Sequence, residues 1–315
     1  MTGAEAPILA HFGSFSEGMI QLLRASVPGA SFAPCEPDGT PPPVDSEILV
    51  ALAHDPQGLA RALAPGVRWV HLLGAGADGF PLDALGERTL TCSRGASAPA
   101  IAEFVLAVML AFEKQLPQSW INQPPERWNL ARLGGLKGRT VGVVGLGAIG
   151  TEVARRAMAF DMRVVALRRT QAPAPLPEVE MVHSLHELLG RSDHVVVAAP
   201  ATAATDKLFD AAAFAAMKPG SHLVNISRGT LVDQDALQAA LESGRPAMAS
   251  LDVVDPEPLP AGHPLYAHPR VRLSPHISWS SPETMERTVA LFADNLRRYR
   301  AGEALQGVVD PIAGY

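Results

Sequence analysis

Apolar residues in this chain fall into two kinds of run. Short solid runs at 8–12, 47–51 and 69–73 predict buried strands. Segments 17–25 and 57–63 space their apolar residues as helices do, and Pro28 and Pro65 close them. The Pro-rich stretch from Pro34 to Pro43 predicts a surface loop, so the first hundred residues read as a compact α/β unit. A long apolar helix is predicted from Ser97 to about Leu116, followed by an irregular stretch, 117–135, that contains Trp120 and Trp128. From Gly138 the pattern alternates strictly. Strands are predicted at 140–145, 163–167, 194–198, 222–226, 248–251 and 271–273, with helices at 149–160, 185–189, 210–217 and 234–241. Such alternation predicts a parallel sheet covered on both faces. A final helix is predicted at 281–300, with Ser281 as N-cap and Pro282 in the first turn.

Composition narrows the class without naming a chemistry. The 315-residue chain is 47% hydrophobic and 18% charged, with a formal net charge of −6. That length exceeds what one core usually supports and predicts two domains. No basic stripe is visible, so nucleic acid is not an expected partner. A small anionic substrate stays compatible, because a few local cations in a cleft outweigh the global sign. The cysteines, Cys35 and Cys92, stand apart, which argues against a disulfide framework and against a zinc site, so no metal is expected. Residues 1–7 have no basic flank and no apolar core of signal length. The longest strongly apolar run, 104–112, falls far short of the roughly 20 residues a membrane span needs. A cytoplasmic protein without membrane contact is the expectation.

The strongest local motif is Gly145-Leu-Gly147-Ala148-Ile149-Gly150, which follows a predicted strand and opens a predicted helix. This is the context a dinucleotide fingerprint requires: a tight turn, close approach of pyrophosphate to backbone, and close helix–sheet packing. The amides of Ala148 and Ile149 would point at the phosphates from the helix N-terminus. At the end of the next strand, an NAD site usually carries a carboxylate, about 20 residues past the glycines, for the ribose hydroxyls. Here no carboxylate occurs between Asp161 and Glu178, and Arg168-Arg169-Thr170 occupies the place. Paired guanidiniums suit a 2′-phosphate, so NADPH is the expected cofactor and NADH a possible one.

Three further segments lie at or just past the ends of successive predicted strands: Asn225-Ile226-Ser227-Arg228, Asp252 to Glu257-Pro258, and Ser274-Pro-His276-Ile-Ser-Trp279. Open α/β sheets place their sites at those ends. A basic, an acidic and an imidazole group are thus expected to converge on one cleft.

Taken together, these motifs resemble the D-isomer-specific 2-hydroxyacid dehydrogenase family. The resemblance also includes Gly74-Ala75-Gly76-Ala-Asp78, Ala102-Glu103 and the Leu136-Lys-Gly-Arg-Thr lead into the glycine motif, and it spans essentially the whole chain. It implies two Rossmann-like or flavodoxin-like α/β domains with parallel sheets, the cofactor domain (99–282) inserted into a substrate domain formed by 1–98 and 283–315. It implies a homodimer, with the irregular stretch after the connecting helix reaching across the two-fold. Arg228, Glu257 and His276 match the catalytic triad. His276 would be the proton donor, Glu257 would orient it, and Arg228 would hold the substrate carboxylate and polarise the carbonyl. Backbone amides at Ala75 and Gly76 would meet the same carboxylate. Ala199 and Pro200, with Ile226 and Ser227, match the nicotinamide side of the cofactor, and Asp252 matches a residue near the carboxamide.

Arg168, in place of an acid, points toward the NADP-using glyoxylate/hydroxypyruvate reductase-like branch, as does the ending Val309-Asp-Pro-Ile-Ala-Gly-Tyr315. The segment Phe112-Glu-Lys-Gln-Leu-Pro117 lacks the arginine that the resemblance would supply after the connecting helix. Reduction of a 2-oxo acid of glyoxylate or hydroxypyruvate size is the leading expectation. Formate, phosphite, phosphoglycerate or erythronate phosphate as substrate is a second. The phosphorylated-substrate branches carry extra C-terminal sequence, whereas this chain ends shortly after its last helix. A third reading is a nicotinamide-sensing, corepressor-like binding protein, against which stands the lack of charged or Pro/Ser-rich tails.

Overall fold

A computed structural model of the chain describes residues 6–13, 16–129, 132–169 and 173–314. The expectations that touch residues 1–5, positions 130–131 of the irregular stretch, Thr170 and Tyr315 lie outside the described residues. The chain divides into two compact units, Met1–Ser97 with Ser281–Tyr315, and Ala98–Ser280.

The first unit begins β1 (Ile8–His11), α1 (Ser16–Ser26), β2 (Phe32–Pro34), β3 (Ile48–Ala51), α2 (Pro56–Ala62), β4 (Trp69–Leu72) and β5 (Thr89–Cys92). The strands form one parallel sheet in the order β2-β1-β3-β4-β5, the flavodoxin-like order. β1, β3 and β4 are buried throughout, which is why they read as solid apolar runs. Alternate residues part to opposite faces: Leu9, Leu49 and Val70 enter one core, Ile8, Ala10 and Val50 another. Pro34 is not loop but the last residue of β2, paired with Ala10. An edge strand tolerates proline because the missing N–H faces away from the ladder. β5 was not expected either, and it forms the opposite edge.

The second unit opens with α3 (Ala98–Glu113) and continues through β6 (Thr140–Val144), α4 (Ala148–Ala159), β7 (Arg163–Leu167), β8 (Glu180–Met181), α5 (Leu185–Arg191) and β9 (His194–Val197). It ends with α6 (Ala211–Ala216), β10 (His222–Asn225), α7 (Gln234–Ser243), β11 (Met248–Leu251), α8 (Pro264–Ala267) and β12 (Val271–Leu273). All described pairings of its sheet are parallel, in the order β12-β11-β10-β9-β6-β7-β8. Read from β8, this is the Rossmann order with a seventh strand added. α3 stops three residues short of Leu116, because Gln115 takes a left-handed backbone (φ 53) ahead of Pro117. Its end is tied to the sheet by a polar chain. Glu113 Oε1 lies 3.1 Å from His194 Nε2, His194 Nδ1 lies 3.3 Å from His222 Nδ1, and His222 Nε2 lies 2.9 Å from Ser250 Oγ. One polarity satisfies every nitrogen: Ser250 donates to His222, His222 to His194, and His194 to the carboxylate.

The chain then returns to the first unit as α9 (Pro282–Ala301). Ser281 caps it by accepting from Thr284 N, and Gly302 closes it in the left-handed conformation. Phe292 and Leu296 of α9 pack with Trp69 against the first sheet. Among the described residues no helix is long and apolar enough to cross a membrane, and no cluster of His, Cys, Asp or Glu could hold a metal ion.

Candidate active site

Because the strands of the second unit run parallel, every loop that follows a strand opens on one edge of the sheet. That edge carries the glycine turn after β6, the arginines after β7 and Ala199-Pro200 after β9. It also carries Ile226 to Arg228 after β10, Asp252 and Glu257 after β11, and His276 after β12. Ala75 and Gly76 belong to the first unit, in the loop after β4. There Ala75 is exposed and its carbonyl accepts from Cys92 Sγ at 3.3 Å.

The glycine turn lies where strand order reverses, between β6 and β9. Gly145 sits at φ 101, and a Cβ there would come within 2.6 Å of the Ala198 carbonyl, so both conformation and contact demand glycine. A Cβ at Gly150 would lie 2.1 Å from Gly145 O, so α4 packs directly on the turn. Gly147, by contrast, faces open space. It is the N-cap of α4, and no side chain caps the helix. The first-turn amides, those of Ala148 and Ile149 among them, have no intrahelical acceptor.

At the end of β7, Arg168 is half-buried and donates to Pro173 O at 2.9 Å, while Arg169 is exposed. After β9, Ala199 is buried and its carbonyl accepts from Ser227 Oγ; Pro200 O accepts from Thr205 Oγ1 at 2.7 Å. The segment after β10 is braced internally. Asn225 Oδ1 accepts from Ser227 N (3.1 Å), Asn225 Nδ2 donates to Arg228 O (2.9 Å), and Ile226 N donates to Val197 O (3.4 Å). Arg228 is half-buried and its guanidinium donates to Ser227 O at 2.6 Å. A Cβ on the next residue, Gly229, would lie 2.0 Å from the Val254 carbonyl carbon. The Arg228 loop therefore rests on the loop that carries Glu257.

His276 and Glu257 meet directly, with Nδ1 2.9 Å from Oε2. Glu257 Oε1 accepts from Val254 N at 3.2 Å, which fixes the carboxylate. His276 adopts φ 54, a left-handed backbone that histidine visits more readily than most residues. Hydrogen bonds hold it there: its amide donates to Asp252 O (2.9 Å) and Ser274 O (3.0 Å), and its carbonyl accepts from Trp279 Nε1 (2.8 Å). Since Glu257 engages Nδ1, the ring nitrogen left to exchange a proton is Nε2.

A model of the D-isomer specific 2-hydroxyacid dehydrogenase NAD binding domain matches residues 106–278. The chain belongs to this family. A glyoxylate reductase of Thermofilum pendens is 33% identical to it, over 84% of this chain and 82% of that protein. A D-3-phosphoglycerate dehydrogenase of Mycobacterium tuberculosis is 34% identical over 86% of this chain, which spans about half (52%) of that longer protein. Among solved structures, a family member from Xanthobacter autotrophicus Py2, in complex with NADPH and MES, superposes with a TM-score of 0.85 at 30% identity, covering 99% of this chain and 100% of that one.

The residues present fit the nicotinamide dinucleotide that the family's second domain takes. Gly147 leaves open space in front of an uncapped helix N-terminus, the arrangement that receives a pyrophosphate. Residue types alone missed what Asp252 does structurally in this family member. It is 2% exposed, and it accepts from Ser274 Oγ (2.5 Å), Ile277 N (3.0 Å) and Ser278 N (2.9 Å). One buried carboxylate thus holds the whole loop that presents His276.

Proposed function

We propose that this chain is an NAD(P)-dependent D-2-hydroxyacid dehydrogenase that reduces a small 2-oxo acid of glyoxylate or hydroxypyruvate size, with NADPH preferred over NADH. The observation that carries the reading is the His276–Glu257 pair, 2.9 Å apart, on the same sheet edge as the glycine turn. The second unit is the dinucleotide-binding domain and the first the substrate domain.

Gly145, Gly147 and Gly150, with the amides of Ala148 and Ile149, hold the pyrophosphate. Arg168 and Arg169 hold a 2′-phosphate, and Ala199, Pro200, Ile226, Ser227 and Asp252 border the nicotinamide. A bound reduced nicotinamide supplies the hydride to the carbonyl carbon. His276 Nε2 delivers the proton to the carbonyl oxygen, and Glu257 stabilises the ring's charged form through Nδ1 until it does. Arg228 binds the substrate carboxylate and offsets the negative charge that develops on the carbonyl oxygen. In the first unit, Ala75 and Gly76 offer backbone amides to a substrate carboxylate. Two copies associate through the stretch 117–135, where Trp120 and Trp128 are 72% and 70% exposed; exposed large apolar side chains are what association would cover.

Steady-state oxidation of NADPH and NADH by purified protein, with glyoxylate and hydroxypyruvate as substrates, tests the reading. Turnover with a marked NADPH preference is expected. Absence of turnover with either cofactor across a wider 2-oxo acid panel would overturn it.

A further inference from the structure

Within the second unit, the peptide group that joins His276 to Ile277 is held from both of its polar sides. Its N–H, on Ile277, donates to Asp252 Oδ1 at 3.0 Å, and its carbonyl, on His276, accepts from Trp279 Nε1 at 2.8 Å. The tilt of that peptide is the ψ of His276, whose φ of 54 is left-handed. An L-residue adopts this backbone against its own preference, and it persists only where the surroundings hold it. Main-chain acceptors hold the amide side: His276 N donates to Asp252 O and Ser274 O. Any residue type at position 276 other than proline could make those two bonds. The bond on the carbonyl side depends on a side chain.

Local structure explains how that side chain arrives. Ser280 N donates to Ile277 O at 2.9 Å, closing a β-turn over residues 277–280. The turn folds Trp279 back toward the residue three positions before it. Trp279 is 42% exposed and belongs to neither hydrophobic core of the unit, so the core does not depend on its bulk. Its indole nitrogen is a donor only, and it meets the main chain of the residue that carries the imidazole. Glu257 restrains the same residue at the other end, through Nδ1 of the ring at 2.9 Å.

We propose that Trp279 is a positioning residue for the proton donor: its indole N–H holds the His276 carbonyl, and with it the left-handed backbone from which the imidazole meets Glu257. The inference rests on the reductase reading above. Trp279 acts on the rate of the chemical step and not on affinity for substrate or nucleotide.

Two measurements on the purified full chain test this. In the first, Trp279→Phe, which keeps a ring and removes the donor, is assayed with NADPH and hydroxypyruvate, and nucleotide titration counts the binding sites. Misplacement of a reacting group by about 1 Å costs on the order of 100-fold, so kcat per site should fall about tenfold or more, with KM and nucleotide Kd unchanged. Trp279→Gln, which keeps an N–H donor, should recover part of the loss. In the second, hydrogen exchange of the Trp279 indole N–H is followed by 15N NMR in the wild type, its signal identified as the one absent from Trp279→Phe. Exchange should be at least about tenfold slower than in N-acetyltryptophanamide. A loss in kcat per site below about twofold, a loss matched by missing nucleotide sites, an equal loss in Trp279→Gln, or exchange as fast as in the free amide would each overturn the proposal. With the wild type turning over a 2-oxo acid, any of these results sinks the proposal alone. A wild type that turns over none sinks the reductase reading, and the role of Trp279 with it.

Discussion

His276 suits the proposed proton delivery because Glu257 occupies one ring nitrogen and the other has no hydrogen-bond partner among the described residues. Glu257 takes Nδ1 at 2.9 Å, and the Asp252-anchored loop fixes the ring's approach through the backbone. His276→Asn should lower kcat by about 100- to 10,000-fold, the usual weight of a general acid, while nucleotide binding followed by fluorescence titration persists. Lost nucleotide affinity in the variant would reassign His276 to a structural role. Arg168→Asp places a carboxylate where the 2′-phosphate is proposed to lie. Its expected result is a shift of at least about tenfold in kcat/KM toward NADH, read from paired saturation curves. An unchanged cofactor ratio would remove Arg168 from the site. That Arg228, Glu257 and His276 follow the ends of β10, β11 and β12 was legible in the sequence, because the βαβ alternation sets where each strand stops. The hold of Asp252 on residues 274–278 was not, since bonds to backbone amides leave no trace in residue identity.

At the scale of elements, the interior strands were readable, and of the four edge strands only β12 was. β2, β5 and β8, each at an edge of its sheet, were all missed. Strands of two to four residues at an edge lack the solid apolar run that burial on both faces imposes on β6 or β9. The buried strands also carry histidines that set the acid stability. His71 of β4 is pushed down to about 3 by burial, and His222 of β10 is lowered well below its ordinary value for the same reason. Both stay neutral in the fold, whereas the unfolded chain protonates them near 6.5. The contribution of His71 is therefore complete above about pH 6.5 and is lost as pH falls from there toward 3, at about 1.4 kcal/mol per pH unit, and that of His222 is lost in the same direction. His71→Gln, which can still bond to Thr91 and Ser93, should flatten that acid limb in urea unfolding between pH 6.5 and 4.5. Parallel stability–pH curves for variant and wild type would contradict the assignment.

On the scale of the whole molecule, two parallel sheets with different strand orders share one chain, and the second is interposed between the two segments of the first. Strict βαβ alternation made the Rossmann half legible from sequence, and the motif resemblance supplied the rest of the plan. The irregular stretch after α3 exposes Trp120, Ile121 and Trp128, a surface that association would cover. Trp120→Ser combined with Trp128→Ser should convert a sedimenting dimer into a monomer at micromolar protein. A wild type that sediments as a monomer would contradict the proposed association. The proposed reaction is read most plainly from its product. Protein incubated with hydroxypyruvate and NADPH should yield D-glycerate, resolved by chiral chromatography, in one-to-one proportion to the NADPH oxidised, and His276→Asn should yield almost none. NADPH oxidation without glycerate, L-glycerate as the product, or full product formation by His276→Asn would contradict the account.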